Sequence, residues 1–427
     1  MESYQFDDIS IVLNKKGSGE FSKVSYPIRY GRFAEIKTPD YVFQFNLKGE
    51  IKYIQGLTQS WPHPAEWLKR TVTNDWVYYS SGGYSGVYGF MGEYYIPCLS
   101  YPSNSIIFGN PFYNNAVMNA VKSLQKLMKK IKVIAPGSIP QVLKDFLFSV
   151  IESNEGLPNS GSKKLHGLIG DKLTVLPPDT RHVDYEVIPI IIADGCLYNC
   201  GFCKVKSGRD FALRDESNII DQIKRLKGFY AGDISNYNAI FLGQHDALFA
   251  GAELLLFTAE KAYEVFEFAH SNLKGAYLFI FGSADSLINA KDTLFESLNN
   301  LPFYSYINIG LESADDRTLD KLKKPLQVET VCRAFTRMLD INRSYEKIEV
   351  TANFVFGCDL PLGHINSFID LMVNRLDRFY SKGAIYLSPL FDGRTDDRKT
   401  RRNLLRKFNE VKTASLLPTF IYLIQRL

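Results

Sequence analysis

Cysteine, histidine and tryptophan are scarce in this 427-residue chain, with 6, 6 and 3 copies. Long apolar runs are missing. The longest, 188–193 and 416–424, are under half the ~20 residues that a membrane-spanning helix needs. An excess of charge is missing too: 50 Lys and Arg against 46 Asp and Glu leave +4, too little to mark a nucleic-acid binder by itself. No internal repeat recurs, and Met1-Glu2-Ser3-Tyr4 lacks the charged-then-apolar order of a signal peptide. Together these absences predict a soluble cytoplasmic protein with no membrane partner. Six cysteines in so long a chain also exclude the disulfide framework of a small secreted domain.

What is present is ordinary except in its aromatics. Hydrophobic residues at 45% and charged residues at 22% fit a globular protein and exclude a disordered chain, a collagen repeat and a coiled coil. Aromatic residues reach 14%, with 25 Tyr and 30 Phe, and they crowd the first third. The length exceeds one typical domain. Residues 1–180 read as an aromatic-rich α+β domain of unknown role, expected to face the substrate by covering the mouth of the next domain. Alternating stretches at 41–47, 51–54 and 76–80 predict strands, with Lys48-Gly49-Glu50 as a turn. Helices are expected at 114–132 and 141–151, before a breaker-rich stretch from Glu155.

From about residue 184 the pattern changes to short apolar strands alternating with amphipathic helices. Strands at 187–192, 239–242, 276–281, 304–309, 350–356 and 384–387 are separated by helical stretches, so residues 181–395 predict a parallel sheet with helical crossovers. An open doubly wound sheet and a partial barrel both fit, and in either the ligand sits at the C-terminal ends of the strands. Residues 396–427 read as a basic helical extension.

The scarce cysteines are concentrated. Cys196-Leu-Tyr-Asn-Cys200-Gly-Phe-Cys203 directly follows the first strand of the second half. Three thiolates at that spacing can bind three irons of a [4Fe–4S] cube, which leaves the fourth iron open to a small ligand. A zinc site would want a fourth ligand, and no His lies in the loop.

This C-x3-C-x2-C spacing after the first strand of a strand–helix half resembles the radical S-adenosylmethionine (SAM) superfamily over residues 184–395. The resemblance implies a partial (β/α)6 TIM-like barrel, in which Cys196, Cys200 and Cys203 hold the cluster and its open iron binds the amino and carboxylate groups of SAM. It implies reductive cleavage of SAM to methionine and a 5′-deoxyadenosyl radical, which takes a hydrogen atom from the substrate. It also implies an external electron donor such as flavodoxin or ferredoxin. The run Gly310-Leu311-Glu312-Ser313, followed by Asp315-Asp316-Arg317-Thr318-Leu319 and a Lys-rich helix, is similar to the branch with methylthiotransferases, elongator-type acetyltransferases and oxygen-independent coproporphyrinogen dehydrogenases. There Glu312 and Ser313 are implied as SAM contacts. Gly243-Gln244-His245-Asp246 stands where the family has a Gly-Gly-Glu-like turn, so Gly243 and Asp246 are candidates for the SAM amino group. Ser283, after the third strand, is a further cofactor candidate, and a helix N-cap is its plainer role. His245 is a candidate catalytic acid or base beside the cluster, against the reading of a loop histidine with its bonds filled. Cys358, after the fifth strand, is a candidate hydrogen-atom donor or covalent nucleophile, against that of a small buried hydrophobe.

The remaining features bear on the substrate. No cysteine follows Cys358, so one cluster is expected, and no Asp-x-His-x-x-Gly cobalamin motif occurs. Gly82-Gly83-Tyr84-Ser85-Gly86 matches a phosphate loop only weakly, because no Lys-Ser/Thr follows. Trp61, Trp67 and Trp76 would stack on a planar substrate or simply pack. The basic stretches at 122–132 and 394–407 favour a solvated helix face over RNA, so a small-molecule or peptide substrate is expected before RNA. The competing reading is a non-catalytic protein whose iron–sulfur cluster or zinc is structural or serves sensing.

Overall fold

The computed structural model describes the chain except residues 22–28, 81–88, 93–95, 99–103, 105, 107–109, 155–159, 199, 204–208, 244, 358, 391–397 and 425–426. The first half is an antiparallel meander of eight strands in chain order: β1 (Glu2–Phe6), β2 (Ile9–Lys16), β3 (Arg32–Lys37), β4 (Tyr41–Phe45), β5 (Ile51–Gly56), β6 (Trp67–Arg70), β7 (Trp76–Ser80) and β8 (Ile96–Cys98). Period-two alternation aims Ile9, Ile11 and Leu13 of β2 inward, and Ile36, Phe43 and Ile54 join them. Two helices, Asn115–Ile134 and Gln141–Asn154, cover that face with Val117, Leu127, Ile131, Leu143 and Leu147. Trp61 and Trp67 are both buried, and Trp67 stacks on Tyr79 at 5.6 Å, so these two indoles pack within the domain.

The second half has its own, larger core. Its strands are β9 (Ile188–Ile190), β12 (Ala239–Leu242), β13 (Tyr277–Gly282), β14 (Tyr304–Glu312), β15 (Ile348–Phe356), β16 (Ile385–Pro389) and β17 (Thr419–Ile421). A two-stranded ribbon, β10 (Ala193–Asp194) with β11 (Ala212–Leu213), lies between the first two. The seven strands form one sheet, every pair parallel, in the order β9-β12-β13-β14-β15-β16-β17. That order never reverses, as a doubly wound sheet must. The stretch at 416–424 supplies a seventh strand that six strand–helix units did not foresee. The segment before it folds as a helix, Arg398–Ala414, which buries Leu404, Phe408 and Val411 and leaves Arg402 and Arg406 outside.

Alternation gives the parallel sheet two unlike faces. Ile307, Ile309 and Leu311 of β14 and Val350, Ala352 and Phe354 of β15 join helix residues such as Ala334 and Met338 in the core. The other, inner face carries Tyr306, Asn308, Thr351, Asn353 and Tyr386. It is closed at its foot by a 3-10 turn, Pro178–Val183. Asp179 of that turn is buried and accepts from Tyr386 Oη at 2.6 Å and Thr351 Oγ1 at 2.7 Å. Burial pushes its carboxyl up to about 6, from an ordinary value of 3.8. For an acid raised in the folded state, the ionised form is penalised above about 6, and that penalty disappears as pH falls toward the ordinary value. The wild type should therefore gain thermal stability relative to Asp179→Asn between about pH 7 and about pH 4.5. Parallel melting curves of the two proteins across that range would overturn this.

The meander docks against the starts of the parallel strands. Asp233, ahead of β12, accepts from Asn46 Nδ2 at 3.1 Å and the Leu47 amide at 3.2 Å. Asn236 bonds the Arg32 backbone twice at 2.9 Å. Lys69 of β6 meets Asp184 at 3.1 Å and Glu186 at 2.7 Å, just ahead of β9. These contacts lie at the opposite end of the strands from the cysteine loop, where the aromatic domain was expected. Among the described residues, Gly89, Phe90 and Asn104 reach further, along the β17 side: Lys412 bonds the Gly89 carbonyl, Phe90 packs on Phe408 at 5.4 Å and Asn104 bonds Ile424.

Candidate metal centre and cofactor site

The cysteine loop leaves the sheet after β9 and is closed at its base. Ala193 pairs with Leu213 and Asp194 with Ala212. Arg214 holds Asp194 through two bonds, Nε to Oδ2 at 2.8 Å and Nη2 to Oδ1 at 2.7 Å, and donates to the Ile169 carbonyl at 2.6 Å. This hydrogen-bonded guanidinium keeps the Asp194 carboxyl below its ordinary range. Gly195 turns at φ +76, where a Cβ would meet the Asp210 carbonyl oxygen at 2.2 Å.

Above this clasp, Cys200 is buried and Cys196 and Cys203 are half-buried. The loop rests on the helix Asp316–Leu322: the Gly201 amide donates to the Leu322 carbonyl at 3.1 Å. Burial raises the Cys196 and Cys200 thiols, and neighbouring cysteines of the loop raise them further. Among the described residues, no three His, Cys, Asp or Glu side chains converge tightly enough to hold one metal ion. Three thiols can each take a different iron of a [4Fe–4S] cube, whereas a zinc ion wants four ligands and no His lies in the loop, so the donor set fits a [4Fe–4S] cluster better than a zinc ion.

Opposite the loop, β14 ends in a distorted turn. The pairing with β15 shifts register between Gly310 and Glu312, and Glu312 stands at φ +64, a region that a residue with a side chain occupies at a cost of about 1–3 kcal/mol. Its carboxylate is buried and faces Lys324 at 3.4 Å. Burial pushes this carboxyl up, and Lys324 offsets part of the rise. Lys324 reaches there because Lys323 ends its helix at φ +50. Its ammonium also lies 5.1 Å over the Tyr198 ring in the cysteine loop, and it acts electrostatically on both Cys196 and Cys200. Gly310 leaves room for the pair: a Cβ there would lie 2.6 Å from Glu312 Oε1 and 3.2 Å from Lys324 Nζ.

The other candidates divide between open and occupied groups. Gly243 stands at φ +72, its amide bonded to the Ile190 carbonyl at 2.7 Å. Asp246 is buried, which raises its carboxyl, and it accepts from the Ser283 amide at 3.1 Å and Ser286 Oγ at 2.7 Å. Ser283 caps the helix Ala284–Asn289. Asp246 and Ser283 thereby tie the second strand end to the third. Tyr198 bonds Asp285 of that helix and so hooks the cysteine loop to it. Ser313 is fully buried. Its hydroxyl meets His364 Nδ1 at 2.8 Å and accepts from the Asp315 amide at 3.1 Å, while His364 Nε2 meets the Val355 carbonyl at 2.9 Å. Burial lowers the His364 pKa, so the ring is neutral, with its proton on Nε2 toward Val355. His245 is half-buried, burial lowers its pKa, and its Nε2 has no hydrogen-bond partner among the described residues. Cys358, Gln244 and the Gly82–Gly86 loop lie outside the described residues. Sequence reasoning missed Lys324 and His364. The Lys-rich helix end was visible; the turn that brings Lys324 back over the loop was not.

Residues 190–372 match the family model described as the radical SAM superfamily. No curated protein matches the chain in sequence. Among solved structures, the chain is similar to the radical SAM methyltransferase TsrM from Kitasatospora setae, described with cobalamin and a [4Fe–4S] cluster bound: 13% identity and a TM-score of 0.31, over 48% of this chain and 38% of that one. It is also similar to OxsB, a cobalamin-dependent SAM radical enzyme described with aqua-cobalamin and SAM bound: 16% identity and a TM-score of 0.31, over 54% and 31%. This chain thus spans about a third of the length of those structures. The match to the radical SAM family model covers the clasped cysteine loop and the strand ends that face it.

Proposed function

We propose that this chain is an enzyme that reductively cleaves SAM at a [4Fe–4S] cluster held by Cys196, Cys200 and Cys203, and that the parallel sheet is its partial barrel. When bound, the cluster supplies the electron that splits SAM into methionine and a 5′-deoxyadenosyl radical, which takes a hydrogen atom from a substrate. The observation that carries this reading is the meeting of the clasped cysteine loop with the buried Glu312–Lys324 pair over Gly310. A carboxylate and an ammonium side by side suit a zwitterionic amino-acid end, one group for the cofactor's ammonium and one for its carboxylate. Glu312 also offers an acceptor to ribose hydroxyls. A structural metal knob has no use for a glycine cradle or for a strained, buried Glu312.

In this reading Ser313 and His364 position Glu312 by fixing the turn behind it, and Asp246 and Ser283 hold the second and third strand ends together. His245 and Cys358 stay as candidates for proton or hydrogen-atom exchange with the substrate. An external one-electron donor is required. The test is anaerobic reconstitution with iron and sulfide, then dithionite and SAM, with 5′-deoxyadenosine measured by chromatography. Deoxyadenosine that depends on cluster and reductant is the expected result. A protein that takes up neither iron–sulfur nor SAM overturns the reading.

A further inference from the structure

The Lys324 side chain starts from a fixed backbone. Its amide donates to the Leu319 carbonyl at 3.0 Å, and its carbonyl accepts from the Leu326 amide at 2.8 Å, with Pro325 between them. The ammonium is buried and meets two groups, Glu312 Oε1 at 3.4 Å and the Tyr198 ring at 5.1 Å from its centroid. Tyr198 is itself held by Asp285, whose carboxylate accepts from the hydroxyl and whose amide donates to it at 3.4 Å. In sequence Tyr198 lies midway between Cys196 and Cys200. Gly201, next after Cys200, donates to the Leu322 carbonyl two positions before Lys324. None of these bonds involves a thiol, so the ammonium faces the cysteine loop with or without a cluster.

The charges around the loop are of unlike sign and reach. Burial raises the Cys196 and Cys200 thiols most; beyond that, Asp246 raises Cys196, Glu312 raises Cys200, and Lys324 lowers both. Glu312 and Asp246 are buried carboxyls, and the hydrogen bonds to Asp246 come from neutral donors, the Ser283 amide and the Ser286 hydroxyl. Lys324 is the cation that offsets the two. Its neighbours Lys321 and Lys323 are exposed. Lys321 bonds the Asp359 carbonyl, and Lys323 lays its stem on Gly201, where a Cβ would lie 2.9 Å from Lys323 Cδ. Water and salt screen exposed charges, whereas a buried charge acts through a medium of low dielectric. A [4Fe–4S] cluster gains one negative charge on one-electron reduction, and its potential follows the net charge and solvent exposure around it.

We infer that Lys324 sets the reduction potential of the cluster: its buried ammonium favours the more negative, reduced form, and Glu312 opposes it. The inference rests on the radical SAM reading above and names a control on electron loading at that site. The test uses reconstituted holoprotein without SAM at mildly alkaline pH. It is titrated with dithionite and mediator dyes, and the reduced cluster is read by electron paramagnetic resonance. Lys324→Met should disfavour reduction by about tenfold or more, a fall of about 59 mV or more for a one-electron couple. Lys324→Arg keeps the charge and should stay within about threefold of wild type, or about 28 mV. Glu312→Gln should shift the potential the other way. Opposite signs identify a charge effect, because a loosened loop would move both variants in one direction. Lys323→Met, at the exposed neighbour, should shift the potential by less than half as much as Lys324→Met. An unchanged potential in Lys324→Met, shifts of one sign in Lys324→Met and Glu312→Gln, or an equal shift in Lys323→Met would each overturn the inference. Where Lys324→Met assembles no cluster, Glu312→Gln decides: a raised potential supports the inference, and an unchanged or lowered one overturns it. A wild-type protein that takes up no iron–sulfur counts against the function proposed above. A cluster whose potential ignores Lys324 counts against this inference alone.

Discussion

Cys200→Ala should leave a folded protein that assembles no intact cluster and forms 5′-deoxyadenosine at background level, a loss of more than the roughly hundredfold that changes around a metal ligand typically cost. Cys200 is the most buried of the three thiols, so in the proposed cluster its removal would take away a ligand that solvent or a neighbouring side chain cannot replace easily. The fold should survive. The loop is held at its base by the β10–β11 pairing and the Asp194–Arg214 bonds, and on its far side by Gly201 against Leu322, none of which involves a thiol. Iron and sulfide content, visible absorbance and deoxyadenosine yield should therefore fall together while the thermal transition of the apoprotein stays in place. Cys332→Ala is the matched control: that cysteine lies on the helix Val328–Ser344, outside the loop, and its loss should change none of these readouts. A Cys200→Ala protein with its full iron complement and normal SAM cleavage would remove the cluster assignment.

Lys69→Met should destabilise the chain by about 3–5 kcal/mol, the usual cost of breaking a buried ion pair by removing one partner. Lys69 is 3% exposed and bonds Asp184 through both its carboxylate at 3.1 Å and its carbonyl at 2.6 Å, and Glu186 at 2.7 Å. Burial alone would lower the lysine's pKa; Asp184 and Glu186 more than offset it and hold the ammonium charged. Burial likewise pushes the Glu186 carboxyl up, but Lys52 and Lys69 outweigh that and hold it at about 2. A carboxyl depressed in the folded state contributes stability above its ordinary range, and that contribution is lost as pH falls toward the folded value. The penalty of Lys69→Met should therefore be largest near neutral pH and shrink in acid. Urea denaturation at several pH values checks both parts. A variant within about 1 kcal/mol of wild type at neutral pH would show that water reaches Asp184 and Glu186 and screens them.

The features legible in the sequence were those written in local spacing. C-x3-C-x2-C places three thiols on one loop whatever the rest of the chain does, and the switch from period two to strand–helix alternation after residue 184 announces a parallel sheet. The Gly-x-Glu run at Gly310 marked the strand end where Glu312 now faces Lys324. What was not legible depends on pairing across the fold. β17 is a three-residue strand inside an apolar stretch, and it is defined only by its ladder with β16. Asp194 and Arg214 are twenty positions apart, and only the ribbon brings them together. His364 meets Ser313 across two strand ends, and no local pattern distinguishes it from a surface histidine after a turn. The aromatic domain's side of attachment was equally hidden, since it rests on ion pairs between β6 and the residues that lead into β9.

The ribbon at the base of the cysteine loop also bears on the order of assembly. Bringing the two ends of the segment from Gly195 to Phe211 together has a closure entropy cost of about 2–3 kcal/mol, and it grows only logarithmically with length. Here protein–protein bonds meet that requirement. The apoprotein already holds its three sulfurs in one neighbourhood, and on the proposed assignment the free energy of inserting iron and sulfide would go into bonds with the thiolates instead of chain ordering. Cluster loss and unfolding should then be separate events in this chain, so an oxygen-damaged molecule can be refilled without being refolded.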